Sequence, residues 1–265
     1  MQAVPLLTDR TTLIRNRARA SDTFLRDIAS DELLDRLSLV NRQFKDPLFV
    51  GPAPNMIPGA KKIVDADTLE VTPASHDLAV HFMALHWAND PLGQIIQSAR
   101  ALRPDGMFQA ACLGGQTLNE LRASLAQAES EITGGLSPRV APMGEIRDLG
   151  ALLQRAGLAL PVADSITIRT SYKSAFHLMR DLRKFGETNA LNARVRHPTK
   201  RAIFDRCAEI YAENFSEDGK IIATFEFLFL SGWAPSENQP KPLRPGSANA
   251  RLADALKTTE KPLRD

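Results

Sequence analysis

A chain of 265 residues, 43% hydrophobic and 24% charged, has the make-up of a soluble globular protein with one large domain, or one domain and a tail. Its 33 basic and 31 acidic side chains leave a net charge of +2, so global charge gives no case for nucleic acid, and no apolar run reaches the roughly 20 residues that a membrane helix needs. Two cysteines, Cys112 and Cys207, exclude a disulfide framework and any cysteine-based metal spacing; both lie in apolar patterns and are expected as buried thiols of a cytoplasmic protein.

Residues 10–45 are expected as helix, with Ser21, Ser30 and Asp31 as capping candidates and Leu33, Leu34, Leu37 and Val40 at helical spacing. Asp9 and Asp22 flank its basic start, RTTLIRNRARA, which favours an opening helix over a transit peptide, and no signal-peptide core precedes it. A short strand at 48–50 ends on Gly51. Pro52, Pro54 and Pro58 follow, and then a second strand, KKIVDA. HDLAVHFMAL (76–85) has the unbroken apolar run of a strand covered on both faces. Asp90, before Pro91, is the expected N-cap of a helix over about 91–102, and RPDG (103–106) has the composition of a turn. MFQAACL (107–113) is a buried strand ending on two glycines.

Thr117 and Glu120 have the spacing of a capping box, which would occupy Glu120 and remove it as a general base. Leu118, Leu121, Leu125 and Ala128 form the stripe of the helix that follows. Further helices are expected at 145–157, at 174–186 before Gly186, and from Thr199 through Tyr211. Strands are expected near 158–162, at 165–172 and at 220–233. This divides the chain into an N-terminal helical segment (1–46), an α/β domain (47–234) and a mobile, proline-rich tail (235–265).

Alternating strands and helices predict a largely parallel sheet, and such sheets bind ligands beyond the carboxyl ends of their strands. That rule selects Gly51–Pro58, Asp65–Asp67 and His81–Asp90. His81 and His86 could act as bases near neutral pH, or His81 could simply fill space. Arg139, between glycines and Pro142, could clamp a carboxylate. Residues 180–206 carry eight basic side chains against three acidic ones, a solvated helix face or a dock for an acidic partner. No metal or Ser-His-Asp constellation can be assembled from the five histidines.

The segments LHW-x-ND, RPDG, LGG-x-TL-x-ELR and GG-x-SPR, in this order, resemble class I S-adenosylmethionine (SAM)-dependent methyltransferases. More narrowly they resemble the branch that contains the respiratory complex I assembly factor that hydroxylates an arginine, and more distantly the malonyl-carrier-protein methyltransferase of biotin synthesis. The resemblance covers roughly residues 8–234. It implies a Rossmann-like class I methyltransferase fold, a SAM cofactor and a complex I subunit as partner, with no transmembrane segment and peripheral membrane association as an option. The positions it implies for the cofactor are Gly51, Asp65, Ala66, His81, Leu85, His86 and Trp87, with Asp65 towards the adenine.

The first cofactor motif departs from that pattern. Glycines normally let the backbone approach the cofactor, and a helix N-terminus presents its N–H groups. Between Gly51 and Lys61 stand nine residues, three of them proline, where a βαβ unit needs roughly 30. The N-terminal half of the sheet is therefore expected to be shortened. Three functions stay open: a role in complex I assembly with arginine hydroxylation, an active methyltransferase, and a non-catalytic partner-binding descendant.

Overall fold

The computed structural model describes residues 6–52, 56–240 and 258. Met1–Pro235 forms one compact unit and Ser236–Asp265 a second. Of the expected tail, residues 241–257 and 259–265 lie outside the described residues.

The first unit contains a single twisted sheet. Its strands are β1 (Pro47–Val50), β2 (Lys61–Ile63), β3 (His76–Phe82), β4 (Leu102–Leu113), β5 (Ala159–Tyr172), β6 (Ser216–Glu217) and β7 (Lys220–Trp233). The order is β2-β1-β3-β4-β7-β5, with β6 paired to β7. β2, β1, β3 and β4 run parallel; β7 is antiparallel to both β4 and β5. This is the expected α/β fold, and its first half is short: β1 has four residues and β2 three.

The helices are α1 (Arg10–Ala18), α2 (Phe24–Ser38), α3 (Pro91–Ala101), α4 (Asn119–Thr133), α5 (Ile146–Arg155), α6 (Ala175–Phe185) and α7 (Arg201–Asn214). Strand alternation divides the core between the two faces of the sheet. Phe49, Phe82, Phe225 and Phe227 pack with α2, α4, α6 and α7, whereas Leu48, Val50, Phe108 and Cys112 pack with α3 and α5. Each fully buried phenylalanine removes enough apolar area to stabilise the fold by about 2–3 kcal/mol.

Several sequence expectations are corrected. The helix expected over 10–45 is two helices. The backbone N–H groups of Ser21 and Asp22 donate to the Lys184 carbonyl at 2.8 and 3.1 Å, and Phe24 stacks on Phe185, so α6 pulls the chain out of its helical path. The strand expected over 76–85 ends at Phe82, because Met83 takes φ +46° and Leu85–Trp87 form a 3-10 turn. KKIVDA is a strand only to Ile63. RPDG is a bulge inside β4: Leu102 pairs with His76 but Met107 already pairs with Leu78. There Asp105 adopts φ +63°, and its N–H reaches the Ala234 carbonyl. The two strands expected at 158–172 are one, held along its length by β7.

The capping box does not form. Leu118 stands at the N-cap of α4 with φ +54° and offers no side-chain bond. Thr117 Oγ1 instead exchanges hydrogen bonds with the Glu226 backbone, both at 3.1 Å, and the Glu120 carboxylate accepts from Thr224 N–H and Oγ1. Both side chains are buried and tied to β7, which satisfies their polar atoms. Asp90 does cap α3, accepting from Gly93 N–H at 2.8 Å.

Candidate functional site

The segments after β1, β2 and β3 approach α1. Asp9 caps this helix through Thr12 N–H and pairs with Arg194 at 2.9 Å, which fixes α1 to the loop after α6. Leu13 of α1 packs with Trp87, Ala141, Ala190 and Leu191. Arg10 and Arg17 lie seven residues apart, two turns of helix, and so project from one face. Both reach the buried Asp65, Arg10 at 3.2 Å and Arg17 at 3.0 Å; Arg10 also bonds the Asp65 carbonyl, and Arg17 the Met83 carbonyl at 2.9 Å. A groove of about 540 Å³ remains beside them, between Ile14, Gly51, Pro52 and the end of β2.

Gly51 has φ +126°, and a Cβ there would stand 2.1 Å from the Phe82 carbonyl oxygen. The glycine is thus required by the close approach of β1 to β3. Ala66 follows Asp65 in a tight turn, its N–H bonded to Val64 and its carbonyl accepting from Gln94 Nε2 at 3.0 Å. Gln94 Oε1 meets His81 Nε2 at 2.7 Å. His81 is fully buried, and among the described residues its Nδ1 has no hydrogen-bond partner. Leu85 is buried in the core on the α3 side.

The 3-10 turn carries the second cluster. Trp87 Nε1 donates to Glu187 Oε2 at 2.6 Å, and His86 Nε2 approaches the same oxygen at 3.4 Å. His86 Nδ1 faces the Leu113 N–H at 3.4 Å, so the ring accepts there and donates towards Glu187. Among the described residues Glu187 Oε1 accepts no hydrogen bond. Burial pushes the Glu187 carboxyl up, but the hydrogen bond from His86, the charge of Arg17 and the Trp87 N–H outweigh it and hold the pKa at about 2. The side chain, only 8% exposed, lines a cavity of about 320 Å³ whose walls include Leu25, Leu121, Leu125, Met179 and Phe225. An ionised carboxylate in an apolar cavity is a receptor for a cation, and a bidentate guanidinium suits it best.

Arg139 also lines this cavity, but its guanidinium is already paired. It holds Glu129 at 2.6 Å and Thr199 Oγ1 at 3.0 Å, and so braces the loop after α4 against the start of α7. The carboxylate that it clamps is the protein's own. No group of histidine, cysteine, aspartate and glutamate that could hold a metal ion occurs among the described residues. Sequence reasoning missed Glu187, Arg10, Arg17 and Gln94. The spacing of the two arginines was the one readable signal; Glu187 sits just beyond a helix-ending glycine, and its partners are 100 residues away.

The buried groups set a pH dependence. Burial, the largest effect, lowers the His81 pKa to about 4 from an ordinary 6.5. Between those values the unfolded chain takes a proton that the folded chain refuses. Stability therefore falls as pH drops through that window, by on the order of 3 kcal/mol. Glu187 and Glu129, both held at about 2, extend the loss from pH 4.5 downwards. Urea midpoints measured between pH 7 and 4 check this; His81→Gln is expected to flatten the upper part of the curve.

Comparison with known proteins places these residues among relatives. The chain is 37% identical over 236 residues to arginine-hydroxylase NDUFAF5, mitochondrial, of Danio rerio, covering 88% of this chain and 68% of that protein. It is 37% identical over 202 residues to the Homo sapiens protein of that name, covering 75% and 57%. A malonyl-[acyl-carrier protein] O-methyltransferase of Methylovorus sp. is 33% identical over 171 residues, covering 64% and 55%. No protein-family model matches the chain.

Proposed function

The chain belongs to the family of arginine-hydroxylase NDUFAF5, and from that premise we propose that it receives an arginine of a respiratory NADH dehydrogenase (complex I) subunit during assembly of that complex. The Glu187 cavity is the receiving site. The observation that carries this is the buried, ionised carboxylate with a free oxygen at a cavity whose walls are mostly apolar, with Arg139 and Arg183 at its lining. Trp87 and His86 orient it, and the apolar walls exclude water, which strengthens a charge-assisted bond to a guanidinium. Hydroxylation of that arginine is the reaction carried by the relatives' name, and we extend it to this chain with dioxygen as the oxidant, one of its oxygens entering the C–H bond and the other leaving as water with two electrons from a separate reductant.

In this reading SAM is not the cofactor, although the methyltransferase relatives imply it. The residues at the ends of β1 and β2 do not fit it. Asp65, the position expected to face the adenine, is taken by Arg10 and Arg17. Gly51 is occupied with Phe82, and β2 pairs directly with β1, so no further strand stands between them. These ion pairs also favour a second reading, partner binding without chemistry.

The test is affinity capture of NADH dehydrogenase subunits by the full chain and by Glu187→Gln, followed by mass spectrometry of the captured subunit. A subunit retained by the wild type, lost by the variant and carrying one added oxygen on an arginine supports the proposal. Retention and loss without the added oxygen supports the second reading. A subunit held equally by both proteins overturns the role of Glu187.

A further inference from the structure

The basic stretch after residue 180 is divided by the fold. Lys184, Arg194, Arg196, Arg201 and Arg206 are ion-paired to aspartates and glutamates of this chain. Arg180 and Arg183, on the exposed side of α6, have no carboxylate within ion-pair distance among the described residues, and neither has Arg19 at the end of α1. These three guanidiniums and Lys184 converge on one depression of about 290 Å³ that no acidic side chain lines. Arg183 and Thr188 line both this depression and the Glu187 cavity, so the two share a wall. A cation-seeking site and an anion-seeking site therefore open side by side.

We propose that the basic depression binds an acidic segment of the same partner polypeptide whose arginine enters the Glu187 cavity; the inference rests on that reading of the cavity. Guanidiniums held on two helices match carboxylates bidentately. The arrangement also rejects competitors. An arginine flanked by further basic residues would bring like charge against Arg19, Arg180 and Arg183, which selects one arginine among many. The depression is concave and has no aromatic side chain in its lining, so it offers neither a flat face for a lipid surface nor a stacking platform for a base.

Synthetic peptides containing a single arginine, with an adjoining run of aspartates or of alanines, test this by fluorescence anisotropy against the full chain. The aspartate peptides are expected to bind about tenfold more tightly. The gain should disappear in the double variant Arg19→Ala, Arg180→Ala, whose sites are exposed and outside the cavity, and should shrink with added salt. Equal binding of aspartate and alanine peptides overturns the inference. So does a gain that survives the double variant, or a basic depression that binds anionic phosphatidylglycerol vesicles while showing no peptide gain. Exchanging the arginine for citrulline separates the two claims. If the aspartate gain persists but citrulline binds as well as arginine, the cavity reading fails and the acidic dock stands.

Discussion

Replacing Gly51 by alanine is expected to destabilise the fold by about 3–5 kcal/mol, a large part of the 5–15 kcal/mol typical of a domain. Two costs combine. A φ of +126° is a region that side chains rarely adopt, which costs about 1–3 kcal/mol. The new Cβ would also stand 2.1 Å from the Phe82 carbonyl oxygen, a backbone atom that can move only by displacing β3, and overpacking of that kind costs a further 1–3 kcal/mol. Urea unfolding monitored by circular dichroism reads the change. The prediction bears on function as well as stability. A glycine kept for a cofactor would tolerate alanine in the folded protein and lose only the ligand. A shift in midpoint of less than 1 kcal/mol in equivalent stability would reject the packing role assigned to Gly51.

Glu187→Gln is expected to keep the fold and lose the cation site. Glutamine still accepts from Trp87 Nε1 but gives up the charge whose interactions hold the carboxyl at about 2, so stability should fall by on the order of 3 kcal/mol, within what a folded domain tolerates. Affinity for an arginine peptide should fall about 10–100-fold, because the charge-assisted part of the contact disappears. Citrulline in the peptide should reproduce that loss on the wild type, and the two changes together should cost little more than either alone. Fully additive losses would mean that Glu187 and the peptide's arginine do not meet.

What the sequence made legible follows from where each signal originates. β7 is expected at 220–233 and found at Lys220–Trp233, since a strand covered on both faces has an unbroken apolar run with sharp ends. α6 ends where Gly186 takes φ +78°, a stop encoded by one residue. The break between α1 and α2 was hidden because it is imposed by the Lys184 carbonyl, far along the chain. Thr117 and Glu120 satisfied a local rule, yet β7 offered both a better partner. The candidate site suffered the same way. The shortened loop after β1 was visible as nine residues with three prolines, but the arginines that reach Asp65 come from a helix some 50 positions earlier. The Glu187 cluster joins a 3-10 turn to a loop 100 residues later. Charges that meet across such distances leave no periodic trace.

The central proposal is that the ion pairs of Asp65 with Arg10 and Arg17 close the adenine position that the methyltransferase resemblance implies. It is tested most directly by calorimetric titration of the purified full chain with SAM. The account predicts no binding heat with ligand raised to millimolar concentration; a dissociation constant in the micromolar range would contradict it.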